Sequence, residues 1–226
     1  MNREEMIRLL DHSVLKPEAL EGDVRAGGDV VRGWGGGYYC VQPCWVPLAA
    51  ELLAGAGVGV VSVVGFPHGC DQGEVKARAA ALAVSQGATE IDMVMNIGAL
   101  RSGHAAVTMA DMAAVVQAVP GIPVKVIIES AALTEAEIVL ACRLGVEAGV
   151  AFVKTSTGFH PAGGATVEAV RLMRKTVGPS LGVKASGGIR SLGDTMRMIE
   201  AGASRIGTSA SAAILADLEG DASPHA

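Results

Sequence analysis

Short β-branched runs alternate with alanine-rich stretches of helical period along almost the whole chain. Runs at 11–15, 37–42, 58–65, 89–95, 123–129, 150–155, 181–185 and 204–207 read as strands. Between them lie helical patterns such as "QGEVKARAAALAVSQGA", "HAAVTMADMAAVVQAV", "TEAEIVLACRLGVEAG" and "TVEAVRLMRKTVG", with Gly often closing the helix before the next strand. Parallel strands need such crossover helices, so the pattern reads as repeated βα units. Eight units in 226 residues predict a (βα)8 barrel, a single catalytic domain over 1–226 with a short N-terminal helix. A doubly wound open sheet competes, but no GxGxxG follows the first strand and no linker divides the chain.

Composition narrows the function. A net charge of −5 with no basic run argues against nucleic acid and against an anionic membrane surface. Aromatic residues make up only 3%, too few for base-stacking platforms. Gly and charged residues interrupt every apolar run before it reaches membrane-spanning length, and "MNREEMIRLLDHS" lacks a secretory pattern. These features predict a cytoplasmic protein. Homodimer or higher homo-oligomer formation stays open. Cys40 and Cys44 are spaced like half a zinc site, but no second Cys/His pair completes it. The four cysteines are expected to be reduced, mostly packing thiols.

Strand parity brings out the chemistry. In a barrel one set of side chains meets the helices and the other faces the interior. In "TEIDMVMN" the outward set is Ile91, Met93 and Met95, leaving Glu90, Asp92, Val94 and Asn96 inside. In "PVKVIIES" the inward set is Lys125, Ile127 and Glu129; in "LGVKAS" it is Gly182 and Lys184. Both sets around Lys154 contain apolar residues, so its parity is less clean. Three of the six lysines thus fall within apolar strands. An internal ion-pair cluster with Asp92, Glu90 and Glu129 is the plain explanation. The functional one is that two close lysines activate each other: like charge and burial both depress an ammonium's pKa. A neutral amine forms a Schiff base with a carbonyl, an electron sink for C–C cleavage. A second lysine and an aspartate can shuttle protons to and from the enamine.

"FVKTSTGF" (152–159), "GVKASGGIR" (182–190), "EIDMVMNIGAL" (90–100), "VKVIIES" (124–130) and "VVGFPHG" (63–69) resemble the deoxyribose-phosphate aldolase family of class I aldolases. "LLDHSVLKP", "YYCVQPCWV" and "RIGTSAS" follow in the family's order, so the resemblance spans about residues 9–211. It implies a (βα)8 barrel, no metal or other cofactor, and reversible cleavage of 2-deoxy-D-ribose 5-phosphate to acetaldehyde and D-glyceraldehyde 3-phosphate in deoxynucleoside catabolism. It further implies Lys154 as the Schiff-base lysine, Lys184 as the second active-site lysine and Asp92 as the proton-relay aspartate. Lys125 and Asp11 match polar residues lining the same pocket. The sequence departs from the family at Gln42, where Asn is usual, at Ala210, where a serine is common, and in a tail without a terminal tyrosine.

Phosphate binding has its own rationale, because barrels often hold phosphate on the loops after strands 7 and 8. Gly187 and Gly188 follow strand 7, Gly207-Thr208-Ser209 follows strand 8, and Gly158 follows strand 6. Glycine is also ordinary turn punctuation, but these fall on three consecutive loops. His12, beside Asp11, is expected to make a structural hydrogen bond, Cys40 to pack, and Gly65-Phe66-Pro67 to shape the rim. Two other readings remain: a Schiff-base aldolase for a different phosphorylated carbonyl compound, and an inert barrel that only binds a sugar phosphate.

Overall fold

The computed structural model describes residues 1–221; the tail expectation lies outside them. Eight parallel strands close into a barrel: β1 (Leu10–Val14), β2 (Tyr38–Val41), β3 (Gly59–Val64), β4 (Glu90–Val94), β5 (Val124–Ile127), β6 (Phe152–Lys154), β7 (Gly182–Ser186) and β8 (Arg205–Thr208). The ring shuts where β8 pairs with β1, placing Ile206 opposite Leu10 and Gly207 opposite Asp11. Every sequence-predicted strand is present, shifted at its ends by a few residues. The four quoted helical stretches form Gly73–Ser85, Ala105–Ala118, Glu135–Ala148 and Val167–Val177, and the N-terminal helix is Arg3–Leu9. Among the described residues no helix is long and apolar enough to cross a membrane.

Local chemistry sets the helix ends. In Glu135–Ala148, the Thr134 hydroxyl accepts from the Glu137 N–H while the Glu137 carboxylate accepts from the Thr134 N–H. This capping box satisfies donors that the first turn would leave open. Gly149 stops the helix at φ 82°, a left-handed conformation that side chains disfavour.

The main core lies between strands and helices. Ile91, Met93, Val124, Val126, Val153, Val183 and Ile206 point outward into it, each 2% exposed or less. This settles the parity of β6: Val153 faces the helices, and Phe152 and Lys154 face in. Inside, a floor forms near the strands' N-terminal ends, where the Arg205 guanidinium lies over the Tyr38 ring, 3.7 Å from its centroid, and beside Phe152 at 5.2 Å. Gly182 makes this floor possible, because a Cβ there would come within 2.0 Å of the Phe152 ring.

Two parity expectations fail where strands end early. β4 stops at Val94, so Asn96 instead caps the next helix by accepting from the Ala99 N–H. β5 stops at Ile127, and Glu129 takes a left-handed backbone, which aims it away from the lysines.

Candidate active site

Above the floor, charged side chains fill the interior. Asp92 is fully buried and accepts from three lysines: Lys125 Nζ at 2.8 Å on Oδ1, and Lys154 Nζ and Lys184 Nζ, both at 2.7 Å, on Oδ2. Asp11 accepts from Lys184 Nζ and, at 2.9 Å, from Arg205. Glu90 accepts from Lys125 at 2.5 Å and Arg205 at 3.3 Å. The predicted ion-pair cluster exists, but with Asp11 and Arg205 in it and Glu129 outside. Strand register explains the meeting: Asp92 is level with Lys125, and Lys154 with Lys184.

Four cations face three carboxylates, so the cluster balances only if one lysine is neutral. The environments select which. Burial pushes Lys154 down; Asp92 opposes this, Lys184 adds to it, and the net direction is downward. Burial would lower Lys184 too, but Asp11 and Asp92 together outweigh it and hold its ammonium above the usual range. Lys125 likewise ends raised, burial being overcome by its carboxylates, Asp92 first. Asp92 would be raised by burial, yet Lys125, Lys154 and Lys184 hold it well below the carboxylate range. Two neighbouring lysines with pKa values driven apart suit a nucleophile and an acid.

Lys154 and Lys184 both line a cavity of about 650 Å³ at the C-terminal mouth of the barrel. Asp11, Gly158, Gly187, Gly188, Gly207 and Ser209 share its wall. Lys125 does not: it is fully buried one layer down, so the expectation that it lines the pocket is corrected. Asp92 is likewise sealed beneath the two lysines.

Gly158, Gly187 and Gly188 have φ of 83°, 88° and 82°, conformations suited to glycine. Their N–H groups and that of Ser209 donate to no group of the chain among the described residues. Four unengaged donors on three loops around one cavity suit a multiply charged oxyanion. The Thr208 hydroxyl is engaged with the Ile189 carbonyl at 2.7 Å and the Ala210 N–H at 2.9 Å, which leaves Ser209 as the free hydroxyl of that turn. Arg190 and Lys16 add cations to the wall. Sequence reasoning passed over both, and nothing in their local pattern marks them. It also passed over Arg205, although alternation along "RIGT" places Arg205 and Gly207 inward.

The minor expectations resolve simply. His12 faces the helix layer, its Nδ1 2.7 Å from the Ser211 hydroxyl and its ring stacked on Tyr39. Cys40 packs with Val61 and Val63 and touches the cavity; burial, then the Asp92 charge, pushes its thiol up to about 11, so it stays protonated. Phe66 packs against Cys40, Val61 and Val63 and meets Phe159 of the cavity wall edge-on, 5.3 Å between centroids. The Gln42 amide donates to the Leu15 carbonyl at 2.9 Å, supporting the loop after β1, and is not part of the cavity wall.

Residues 48–216 match the family model described as DeoC/LacD family aldolase. The chain is 50% identical over 218 residues to the deoxyribose-phosphate aldolase of Enterococcus faecalis, covering 96% of this chain and 99% of that one. It is 51% identical over 210 residues to the enzyme of the same name from Brevibacillus brevis, with 93% and 95% coverage. Among solved structures, the tetrameric deoxyribose phosphate aldolase from Aeropyrum pernix superimposes with a TM-score of 0.88 at 31% identity, covering 96% of this chain and 92% of that one.

Proposed function

The chain belongs to the DeoC/LacD family of aldolases, and from that premise we propose that it cleaves 2-deoxy-D-ribose 5-phosphate reversibly to acetaldehyde and D-glyceraldehyde 3-phosphate through a Schiff base on Lys154. One observation carries the assignment of the nucleophile. Of the three interior lysines, Lys154 alone is driven toward the neutral amine, and it stands in the cavity wall.

Neutral Lys154 adds to C1 of the open-chain sugar, and loss of water gives the iminium. Lys184, left neutral once it has given its proton to the departing water, accepts the C3 hydroxyl proton, and the C2–C3 bond breaks with its electrons passing through C2 into the iminium. D-Glyceraldehyde 3-phosphate departs and an enamine remains. Protonation at C2 and hydrolysis release acetaldehyde and restore the amine. Lys184, held protonated and 2.7 Å from Asp92, is the acid that serves the departing water and the enamine carbon. Asp92, strongly ionised, keeps both lysines in place and stabilises the iminium, and Asp11 holds Lys184. Lys125 supports Asp92 from below. Gly158, Gly187, Gly188, Gly207 and Ser209 cradle the phosphate, assisted by Arg190 and Lys16.

The whole barrel acts as one catalytic domain, working in the cytoplasm on a small phosphorylated sugar, as a monomer or a homo-oligomer. Borohydride trapping with acetaldehyde tests the core of this reading. The peptide containing Lys154 should gain an ethyl group, and Lys154→Ala should lose both the adduct and turnover. An adduct on Lys184 would reverse the assignment. Product analysis with deoxyribose 5-phosphate against fructose phosphates tests the substrate.

A further inference from the structure

One buried carboxyl group near the cavity has no place in this chemistry. Glu129 lies two residues past the end of β5, at φ 56° and ψ 58°, and is the one non-glycine residue with positive φ among the described residues. Side chains disfavour this conformation, and such strain clusters at functional sites. The Glu129 side chain is fully buried, yet no cation lies within ion-pair distance of it among the described residues. A buried carboxylate without a cation must be stabilised by hydrogen bonds.

Its donors come from a single residue. The Thr157 N–H reaches both carboxylate oxygens, at 3.2 and 3.3 Å, and the Thr157 hydroxyl donates to Oε2 at 2.5 Å. The Thr157 oxygen in turn accepts from the Phe159 N–H at 3.1 Å. The Ser130 N–H, next along from Glu129, donates to the Thr155 carbonyl at 2.7 Å. The N–H groups on both sides of Gly158 are therefore engaged, and the Gly158 N–H is left over in the cavity wall.

We infer that Glu129 is a positioning residue for phosphate recognition: its carboxylate clamps Thr157 and thereby fixes the Gly158 N–H as a donor to the substrate's phosphate. The inference rests on the function proposed above. An ordinary loop staple would serve any substrate equally, so the distinguishing property is selectivity for the phosphorylated sugar.

The test compares kcat/KM for deoxyribose 5-phosphate and for deoxyribose in four variants: Glu129→Gly, Glu129→Gln, Thr157→Val, and Glu129→Gly with Thr157→Val. Glu129→Gly removes the carboxylate while suiting the left-handed backbone. It should lower the phosphorylated-to-unphosphorylated ratio about tenfold, as expected when one charge-assisted contact is misplaced. Thr157→Val should lower the ratio similarly. The double variant should be no worse than either single one, because both cut the same link. Glu129→Gln should keep part of the ratio, since its amide oxygen still accepts from the Thr157 N–H. If Glu129→Gly does not fold, the Gln and Val variants carry the comparison. An unchanged ratio, or losses that simply add in the double variant, overturns the inference. Acetaldehyde trapping in the unaltered enzyme separates the two levels. Trapping at Lys154 with an unchanged ratio defeats only the role of Glu129, whereas failure to trap defeats the function beneath it.

Discussion

His12 makes the protein's stability sensitive to mild acid. Burial holds its imidazole down at about 4, against an ordinary 6.5. The unfolded chain therefore takes up a proton between these values while the folded chain does not. Wherever the unfolded state binds more protons, stability rises with pH, so this contribution is present near pH 7 and lost as pH falls from about 6.5 toward 4. Taking pH 7 to pH 4.5, the loss is about 2–3 kcal/mol. At a urea dependence of about 2–3 kcal/mol per molar, the unfolding midpoint should move down by roughly 1 M. Asp11 and Asp92, whose folded pKa values are depressed, stabilise above the unfolded carboxylate range and lose that contribution as pH falls through it, mostly below pH 4.5. His12→Gln keeps an amide near Ser211 but cannot titrate. Urea unfolding of both proteins at pH 7, 5.5 and 4.5 isolates the effect: the variant should start less stable, through lost stacking on Tyr39, and then show a flatter acid dependence. An undiminished acid slope in His12→Gln would refute the reasoning.

Lys184→Leu should move the acid limb of imine trapping at Lys154 to higher pH, because it removes a like charge and leaves Asp92 to Lys154; a downward shift in a borohydride pH series would contradict the charge assignment. It should also slow turnover by about 10²–10⁴-fold, as loss of a general acid does, measured by aldehyde release. Ser209→Ala should raise KM for deoxyribose 5-phosphate about ten- to a hundredfold and leave deoxyribose cleavage nearly untouched; equal losses on both sugars would misplace the phosphate. Gly188→Val should be worse than Ser209→Ala in the same assay, because Val is unsuited to φ 82° and blocks close approach of the anion.

The barrel and its lysines were legible because both rest on alternation. A charged residue at inward parity in an otherwise apolar strand, as at Asp92, Lys125 and Lys184, has few places to go, and closure of the barrel brings such residues together. Alternation fails beyond a strand's last residue, which is why Asn96 and Glu129 were misplaced: a cap and a left-handed turn redirect them. Depth along the barrel axis was not legible either, since it depends on the register between strands. Alternation put Lys125 inside without fixing its height, and the pocket place implied for it by the family resemblance lies one layer above where it sits. Helical lysines were a blind spot as well. Lys76, on Gly73–Ser85, is fully buried and donates to the Gly69 and Val94 carbonyls and to Asp111, fastening the loop after β3. Nothing in its alanine-rich helical stretch separates it from a solvated lysine.

The floor of Arg205, Tyr38 and Phe152 closes the barrel interior and makes the cavity a cul-de-sac, with Lys154 toward its inner end and the glycine loops proposed to hold phosphate around its mouth. On the proposed chemistry, the phosphorylated fragment lies nearer the exit in cleavage than the two-carbon fragment tethered to Lys154, so it leaves first, and acetaldehyde follows only after hydrolysis. In synthesis the order reverses: acetaldehyde must load before the phosphorylated aldehyde closes the passage behind it. On the proposed chemistry the tether at Lys154 and the closed inner end act together, and the expected kinetics are ordered, with excess D-glyceraldehyde 3-phosphate obstructing the entry of its own reaction partner.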